Sequence, residues 1–481
     1  MSTAVVIGAG ASGLASAFYI QKYLPKFSKV IVLEGSKQVG GWVSSTKHSD
    51  GCIFEHGPRS LRPVGEQGRN TLHLVEELGL SHDVLPVFRS DASAKNRYLY
   101  VKKKLCPLPN SLAGLFKTLP PFSKSLIRTL AMEPFHRRGK TDESVHSFVR
   151  RRLGREMADI AIDAMVRGIF AGDCRKLSVQ ACFPPLYKME RDYGSLFAGA
   201  LFGSKGPKDD AESSHLTRRA KNEAWASWSL ANGMQSLTDS LAESVGGSKG
   251  GEVRLESPCV RLSPASDGSG KMTVQTESDT INADLVVSAI YSKDLASVLP
   301  ESMEDLREDL SALPSVNVVV VNLEYKDNVL PVKGFGHLLP SSENKQILGI
   351  VYDSCTFPEH NRKNCPDSTR LTVMMGGAWY NHLLTREGVL PDGNELVWMA
   401  TDAAAKQLGI KSHPIRWQVT LQKECIPQYQ LGHVAWVQGL EEKIQQSKLP
   451  LHLVGASYRG PAVNDCINNA RKMVASLAQI S

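Results

Sequence analysis

Ala4-Val5-Val6-Ile7 is a short apolar, β-branched run of the kind that forms a strand buried on both faces of a parallel sheet. After six residues rich in glycine the spacing turns helical over Leu14-Ala15-Ser16-Ala17-Phe18-Tyr19-Ile20, and Lys29-Val30-Ile31-Val32-Leu33-Glu34 returns to a strand that ends on an acid. Strand patterns recur far downstream at Ile281 to Ile290 and Leu451 to Ala456, the latter followed by helical spacing over Val463 to Leu477. Val316 to Leu323 is too apolar for a surface strand and is expected inside a mixed sheet. Between these regions Leu112, Leu115, Phe116, Leu119, Phe122, Leu126, Ile127 and Leu130 alternate with Lys117, Lys124 and Arg128, and Pro120-Pro121 divides the stretch into two short pieces. Gly203 to His215 is polar and glycine-rich and is expected to form a surface loop.

Composition adds three constraints. A length of 481 residues exceeds what one core supports, so two or three structural units are expected. The nine cysteines are scattered singly without a C-x-x-C pair or zinc spacing, which predicts reduced thiols and no metal site. The net charge of +7 is unevenly spread: Lys95 to Arg155 holds 15 Lys or Arg and only Glu133, Asp142 and Glu143 as acids, an excess of +12 that leaves the remainder at −5. Such a local excess predicts an anionic partner. Apolar bodies with basic flanks predict a segment lying in a bilayer interface, with leucine and phenylalanine entering the acyl boundary and lysine facing anionic lipid. No apolar run reaches the ~18–20 residues needed to span a bilayer. No nucleic-acid module accompanies the charge, so nucleic acid is not an expected partner. The first strand begins so early that no room for a cleavable presequence is expected.

The six residues after the first strand carry chemistry. In Gly8-Ala9-Gly10-Ala11-Ser12-Gly13, Gly8 suits a tight turn, Gly10 lets backbone approach a pyrophosphate, and Gly13 lets helix and strand pack closely. The helix that follows presents free N–H groups and the positive end of its dipole to phosphate. Glu34 is placed to accept hydrogen bonds from a ribose. This strand–turn–helix–strand context is what a bare glycine motif lacks. A second glycine pair, Gly40-Gly41-Trp42-Val43-Ser44-Ser45, points to FAD, and no second glycine fingerprint calls for a separate NAD domain.

That pair resembles the R-x-G-G-R-x-x-S/T motif of the flavin amine oxidase superfamily, with Gln38 and Trp42 in place of the two arginines. The departures argue against a typical amine oxidase. Phe54-Glu55-His56-Gly57-Pro58-Arg59-Ser60, Asn96-Arg97-Tyr98 and Phe170-Ala171-Gly172-Asp173 resemble the protoporphyrinogen oxidase family, as do Asn232 to Leu237, Gly334-Phe335-Gly336-His337-Leu338, Gly349 to Ser354 and Met374-Met375-Gly376-Gly377. The resemblance runs from Val5 to about Ala475 and is closest to the animal mitochondrial type.

The resemblance implies an α/β fold: a Rossmann-type FAD-binding domain assembled from residues 1–90, 211–300 and 441–481, a helical membrane-binding insertion over 91–210, and a mixed-sheet substrate domain over 301–440. It implies an FAD-dependent oxidase that converts protoporphyrinogen IX to protoporphyrin IX, using three oxygen and releasing three hydrogen peroxide, at the penultimate step of haem synthesis. Around FAD it places Gly8, Ala9, Gly10, Ala11, Ser12, Gly13, Glu34, Gly35, Trp42, Gly57, Pro58, Arg59, Ser60 and Cys259. Ala462, Val463 and Asn464 complete that set, with the helix start aimed at the flavin pyrimidine end. Arg97 matches a propionate contact, where guanidinium offers a bidentate fork. Phe335, Gly336, Leu338 and Met374 match positions around the macrocycle, with a small residue admitting the ring between apolar neighbours. Hydride transfer to flavin needs close positioning more than an acid–base pair, so no side chain is assigned as a base. The implied location is the intermembrane-space side of the mitochondrial inner membrane, as a peripheral homodimer on an anionic membrane surface. Two alternatives stay open: an amine oxidase or carotenoid desaturase of the same superfamily, and a binding protein like the prenyl-GTPase escorts, which share the architecture without redox chemistry.

Overall fold

A computed structural model describes residues 2–139, 141–202, 214–365 and 367–480. The glycine-rich stretch read as a loop lies outside the described residues at 203–213. The strand β1 (Ser2–Ile7) pairs in parallel with β2 (Phe27–Leu33) and with Leu285–Ser288. Gly251–Arg254 and Leu451–Leu453 extend the sheet to five parallel strands. Both faces of β1 are dry, as its unbroken apolar run requires: Ala4 and Val6 face one core and Val5 and Ile7 the other. The helix α1 (Ala11–Tyr23) covers the first core with the helices Gly65–Glu77, Gln235–Gly247 and Val463–Ile480. A three-stranded antiparallel sheet and the helix His433–Gln446 cover the second. The stretch Ile281 to Ile290, expected as one strand, is two. Thr280–Ala283 belongs to the three-stranded sheet and Leu285–Ser288 to the five-stranded one, with Asp284 between them bonded to the backbone of Thr3.

A second sheet of seven strands runs in the order Arg416–Pro427, Ser315–Tyr325, Thr369–Gly376, Ile347–Val351, Gly336–Leu338, Tyr98–Val101 and Lys104–Pro107. Ser315–Tyr325 pairs on both sides, which explains why Val316 to Leu323 is so apolar. Val319, Val321 and Leu323 pack beneath the helix Gly393–Leu408, whereas Val318 and Val320 point to the opposite face, toward a cavity. The two strands at 98–107 join this sheet rather than a helical unit, because Tyr98 and Leu99 pair with His337 and Leu338.

Short helices from Leu112 to Phe202 form a third layer around Phe148, Val149, Val166 and Phe170. Arg152, one of the 15 cations between Lys95 and Arg155, is fully buried and pairs with the equally buried Glu133. Arg151 pairs with Glu143 and Glu190. Part of the basic excess is therefore internal. No helix among the described residues is long and apolar enough to cross a membrane. This layer does, however, leave Phe135 81%, Leu112 80%, Phe202 74% and Phe116 69% exposed. The helix Leu112–Phe116 touches Leu126–Met132, which runs into the turn Glu133–Phe135, and that turn touches Leu196–Phe202. The elements that carry these exposed apolar side chains are thus neighbours. Of the residues expected to enter lipid, Phe116 is exposed, but Leu119, Phe122 and Leu126 are half-buried and line the interior cavity.

A nucleotide cradle joined to a basic-walled cavity

The glycine turn has the geometry its sequence requires. Gly8 adopts φ +99°, and a Cβ on Gly13 would stand 1.9 Å from the Gly8 carbonyl oxygen, so helix and strand meet too closely for any side chain. A Cβ on Gly10, in contrast, would meet no atom within 4 Å. Gly10 is the N-cap of α1 and no side chain caps the helix, which leaves its first N–H groups to an outside acceptor. Gly40 donates its N–H to the Ala9 carbonyl at 2.9 Å, bringing the second glycine pair beside the first. Glu34 accepts from the Ala9 N–H at 2.8 Å and the Ser36 N–H at 2.9 Å, which fixes its carboxylate at the end of β2. Gly35 and Cys259 lie at this same end: Pro258 packs against Gly35, and Ser257 donates to the Glu34 carbonyl. Ala11 and Ser12 begin α1, and Ser12 lies beside Gly455, just after the last sheet strand.

The cradle fits a dinucleotide by its own atoms. The open space over Gly10 is where a pyrophosphate would sit, and Asn464 Oδ1 and Arg59 Nη2 are buried without protein partners. Asn464 holds its other side by donating Nδ2 to the Arg62 carbonyl at 2.9 Å. Arg59 is oriented by Asp353 at 2.8 Å, and Asp353 accepts from Thr372 at 2.7 Å. Beside this chain, burial pushes the Glu55 carboxyl up to about 7, against bonds from Ser45 and the Met234 N–H. Asp353 was not singled out as a site residue. Nothing local marks it, since its role comes from Arg59, 294 positions away.

A cavity of about 1160 Å³ opens from this cradle to the seven-stranded sheet. Trp42, Gly57, Pro58, Arg59, Ser60, Ala462 and Val463 line its flavin side, and Arg97, Phe335, Gly336, Leu338 and Met374 line its far side. The residues expected around the macrocycle therefore share one space with seven of those expected around the cofactor, while the glycine turn, Glu34, Gly35, Cys259 and Asn464 do not line it. Met374 pairs with Val320 in the sheet and faces the cavity beside it. Gly336 has a φ of +149°, and a Cβ there would lie 2.4 Å from the Ile350 carbonyl oxygen, so the neighbouring strand by itself already requires glycine. Gly57 is constrained in the same way, by the Trp42 carbonyl.

The charge of the wall is one-sided. Seven Lys or Arg line it, at 59, 62, 97, 117, 124, 155 and 167, against Glu156 as the single Asp or Glu. Arg97 stands over the Phe335 ring at 5.2 Å and makes no ion pair among the described residues. Burial and the nearby Arg62 charge hold it below the usual guanidinium range. The neutral-range groups are already engaged. His337 bonds Tyr352 at 2.7 Å and Gln407 at 2.6 Å, and burial lowers it to about 4; His56 bonds Thr46 at 2.7 Å and Thr420 at 3.2 Å. Glu156 accepts from the Ser123 N–H at 2.9 Å.

The comparisons agree with this geometry. The flavin containing amine oxidoreductase family matches residues 11–477. Protoporphyrinogen oxidase of Bos taurus is 44% identical over 476 residues, 98% of each chain, and that of Homo sapiens is 44% identical over 478 residues, 99% of this chain and 98% of the human one. The enzyme of the same name from Schizosaccharomyces pombe is 32% identical over 99% of this chain and 98% of its own. In fold, a crystal structure from Exiguobacterium sp. 255-15 superposes with a TM-score of 0.79 at 22% identity, covering 100% of this chain and 99% of that one. Reduced UDP-galactopyranose mutase superposes with a TM-score of 0.71 at 10% identity, covering 100% and 94%. The glycine cradle, the cavity that continues from it and these matches together place the chain in the flavin containing amine oxidoreductase family, among its protoporphyrinogen oxidases.

Proposed function

We propose that the chain oxidises protoporphyrinogen IX to protoporphyrin IX with FAD, passing the electrons to oxygen as hydrogen peroxide. The observation that carries this is the cavity: large, apolar in its body and lined by seven cations against one acid. A cationic amine would be repelled by such a wall, whereas an apolar macrocycle bearing carboxylates is matched in both respects.

Bound FAD accepts two electrons at a time, so the six that leave the macrocycle require three rounds. The protein's part is placement. Phe335, Leu338 and Met374 hold the ring by apolar contact, Arg97 holds a carboxylate, and Arg59, fixed by Asp353, shapes the flavin side. His56 and His337 are tied to protein partners and burial lowers both, so reactivity rests on the substrate carbon meeting the flavin.

We place the enzyme on an anionic membrane, as a peripheral protein of the intermembrane-space side of the mitochondrial inner membrane. What supports docking is that Leu112, Phe116 and Phe135, within the basic part of the chain, and Phe202 beyond it are exposed on neighbouring elements. The segment that carries Leu112 and Phe116 also lines the cavity through Leu119, Phe122 and Leu126, so a poorly soluble ring would have a short path between lipid and flavin. The activity is tested aerobically with purified holoenzyme: three oxygen consumed and three hydrogen peroxide formed per porphyrin are expected. A flavoprotein that turns over a primary amine and leaves protoporphyrinogen unchanged would contradict the assignment.

A further inference from the structure

Protoporphyrinogen IX carries two propionates on neighbouring pyrroles, and Arg97 can receive only one of them in a bidentate bond. The second anchor can be sought among the other cations of the wall. Arg59 is held by Asp353, Arg155 by Asp159, and Arg167 by the backbone carbonyls of Asn344 and Ile347. Lys117 and Lys124 sit on the segment that carries the exposed Leu112 and Phe116. Arg62 is different in two respects.

First, its backbone is fixed while its side chain is free. Its carbonyl accepts from Asn464 at 2.9 Å, at the start of the last helix, and Pro63 restricts the residue to an extended backbone. The side chain is exposed and makes no ion pair among the described residues. Second, it is the charged neighbour that acts on Arg97. Two guanidiniums therefore face one cavity within electrostatic reach of each other, with no acid pairing either of them among the described residues. Like charges so arranged repel, and a dianion placed between them relieves the repulsion of both.

We infer that Arg62 is the second carboxylate anchor, and that Arg62 and Arg97 together clamp the dicarboxylate edge of the substrate. This rests on the proposed substrate. The clamp would fix which edge of the ring is held at Arg62 and Arg97 and so how the ring is turned in the cavity. It also predicts discrimination: a ring with its propionates esterified loses both contacts.

The test uses purified holoenzyme and its Arg62→Gln and Arg62→Lys variants. Binding of protoporphyrin IX and of its dimethyl ester is measured by quenching of tryptophan fluorescence, and turnover is measured on the two corresponding porphyrinogens. The expected result for Arg62→Gln is a Kd and KM for the diacid raised on the order of tenfold, with kcat within about twofold. Flavin content and Tm stay those of the parent, Arg62→Lys recovers part of the loss, and parent and variant treat the diester alike. A variant with unchanged Kd and KM for the diacid, or one that loses the diester as fully as the diacid, overturns the clamp. A parent that leaves protoporphyrinogen unoxidised overturns the proposed function instead, so the two failures are distinct.

Discussion

The nucleotide cradle and the helical layer solve opposite problems with the same residue types. In the cradle every apolar residue of the first strand from Ala4 to Ile7 is buried, and function is left to backbone: bare N–H groups, missing side chains and one carboxylate. In the helical layer Phe116, Phe135 and Phe202 stand in the open while Arg152 and Arg167 are buried. Hydropathy alone does not tell inside from outside here. A cation with an internal acid goes in, and an aromatic on a helix without a partner stays out.

The sharpest break of this comparison comes from two glycines three residues apart. Gly13→Val should abolish folded protein, since its Cβ would stand 1.9 Å from the Gly8 carbonyl oxygen. Gly10→Val should instead fold with a near-parental Tm and carry no flavin, because its Cβ points into the space the pyrophosphate needs. Melting curves and flavin absorbance separate the two outcomes; a yellow Gly10→Val protein would refute the cradle.

In the helical layer, Glu133→Gln should destabilise by up to about 3–5 kcal/mol, since it removes the nearer of the two carboxylates that neutralise the buried Arg152 and leaves only Glu190 at 3.5 Å. Glu133 also accepts bonds from the Ser195 hydroxyl and the Leu196 and Phe197 N–H groups, so the chain leading to Phe202 should loosen with it. Denaturant melts read the loss, and a change under 1 kcal/mol would mean that the pair is not a structural keystone of the layer.

Smaller effects are expected in the cavity and on the surface. Arg97→Ala should raise KM for protoporphyrinogen more than it lowers kcat, by about 1.5–3 kcal/mol for a charge-assisted bond, less where water substitutes. Unchanged KM in steady-state kinetics would remove Arg97 from the carboxylate. Replacing Phe116, Phe135 and Phe202 together by Asp should release the enzyme from anionic liposomes while it stays yellow and active in detergent. Each side chain contributes at most roughly 1.5–3 kcal/mol, and much less at an interface. Salt alone should release the parent only in part, because it screens the basic contribution and not the apolar one. Sedimentation of the triple variant with liposomes like the parent would place the docking surface elsewhere.

What was legible in the sequence follows from how local each cause is. The strand, the glycine turn and Glu34 lie within 33 residues, and their order alone implies their geometry. The outer strands Tyr98–Val101 and Lys104–Pro107 were not legible, since they join a sheet whose other members begin at Ser315. The apolar segment was legible from its periodicity, but only packing decides that Phe116 faces outward and Phe122 toward the cavity. The buried fate of Arg152 depends on Glu133, which helical spacing does not connect to it. Gly336 lines the cavity, and the Ile350 carbonyl that requires glycine there is visible only once the two strands are paired.

The central claim is that this cavity delivers electrons from a porphyrinogen to the flavin, and the most direct measurement excludes oxygen. Purified yellow protein is mixed anaerobically with protoporphyrinogen IX and the flavin absorbance is followed. Bleaching that saturates near one reduced flavin per pair of electrons withdrawn, reversed on admitting air with porphyrin fluorescence left behind, is the predicted result. A flavin that stays oxidised in the presence of excess porphyrinogen, while dithionite reduces it, would contradict the account.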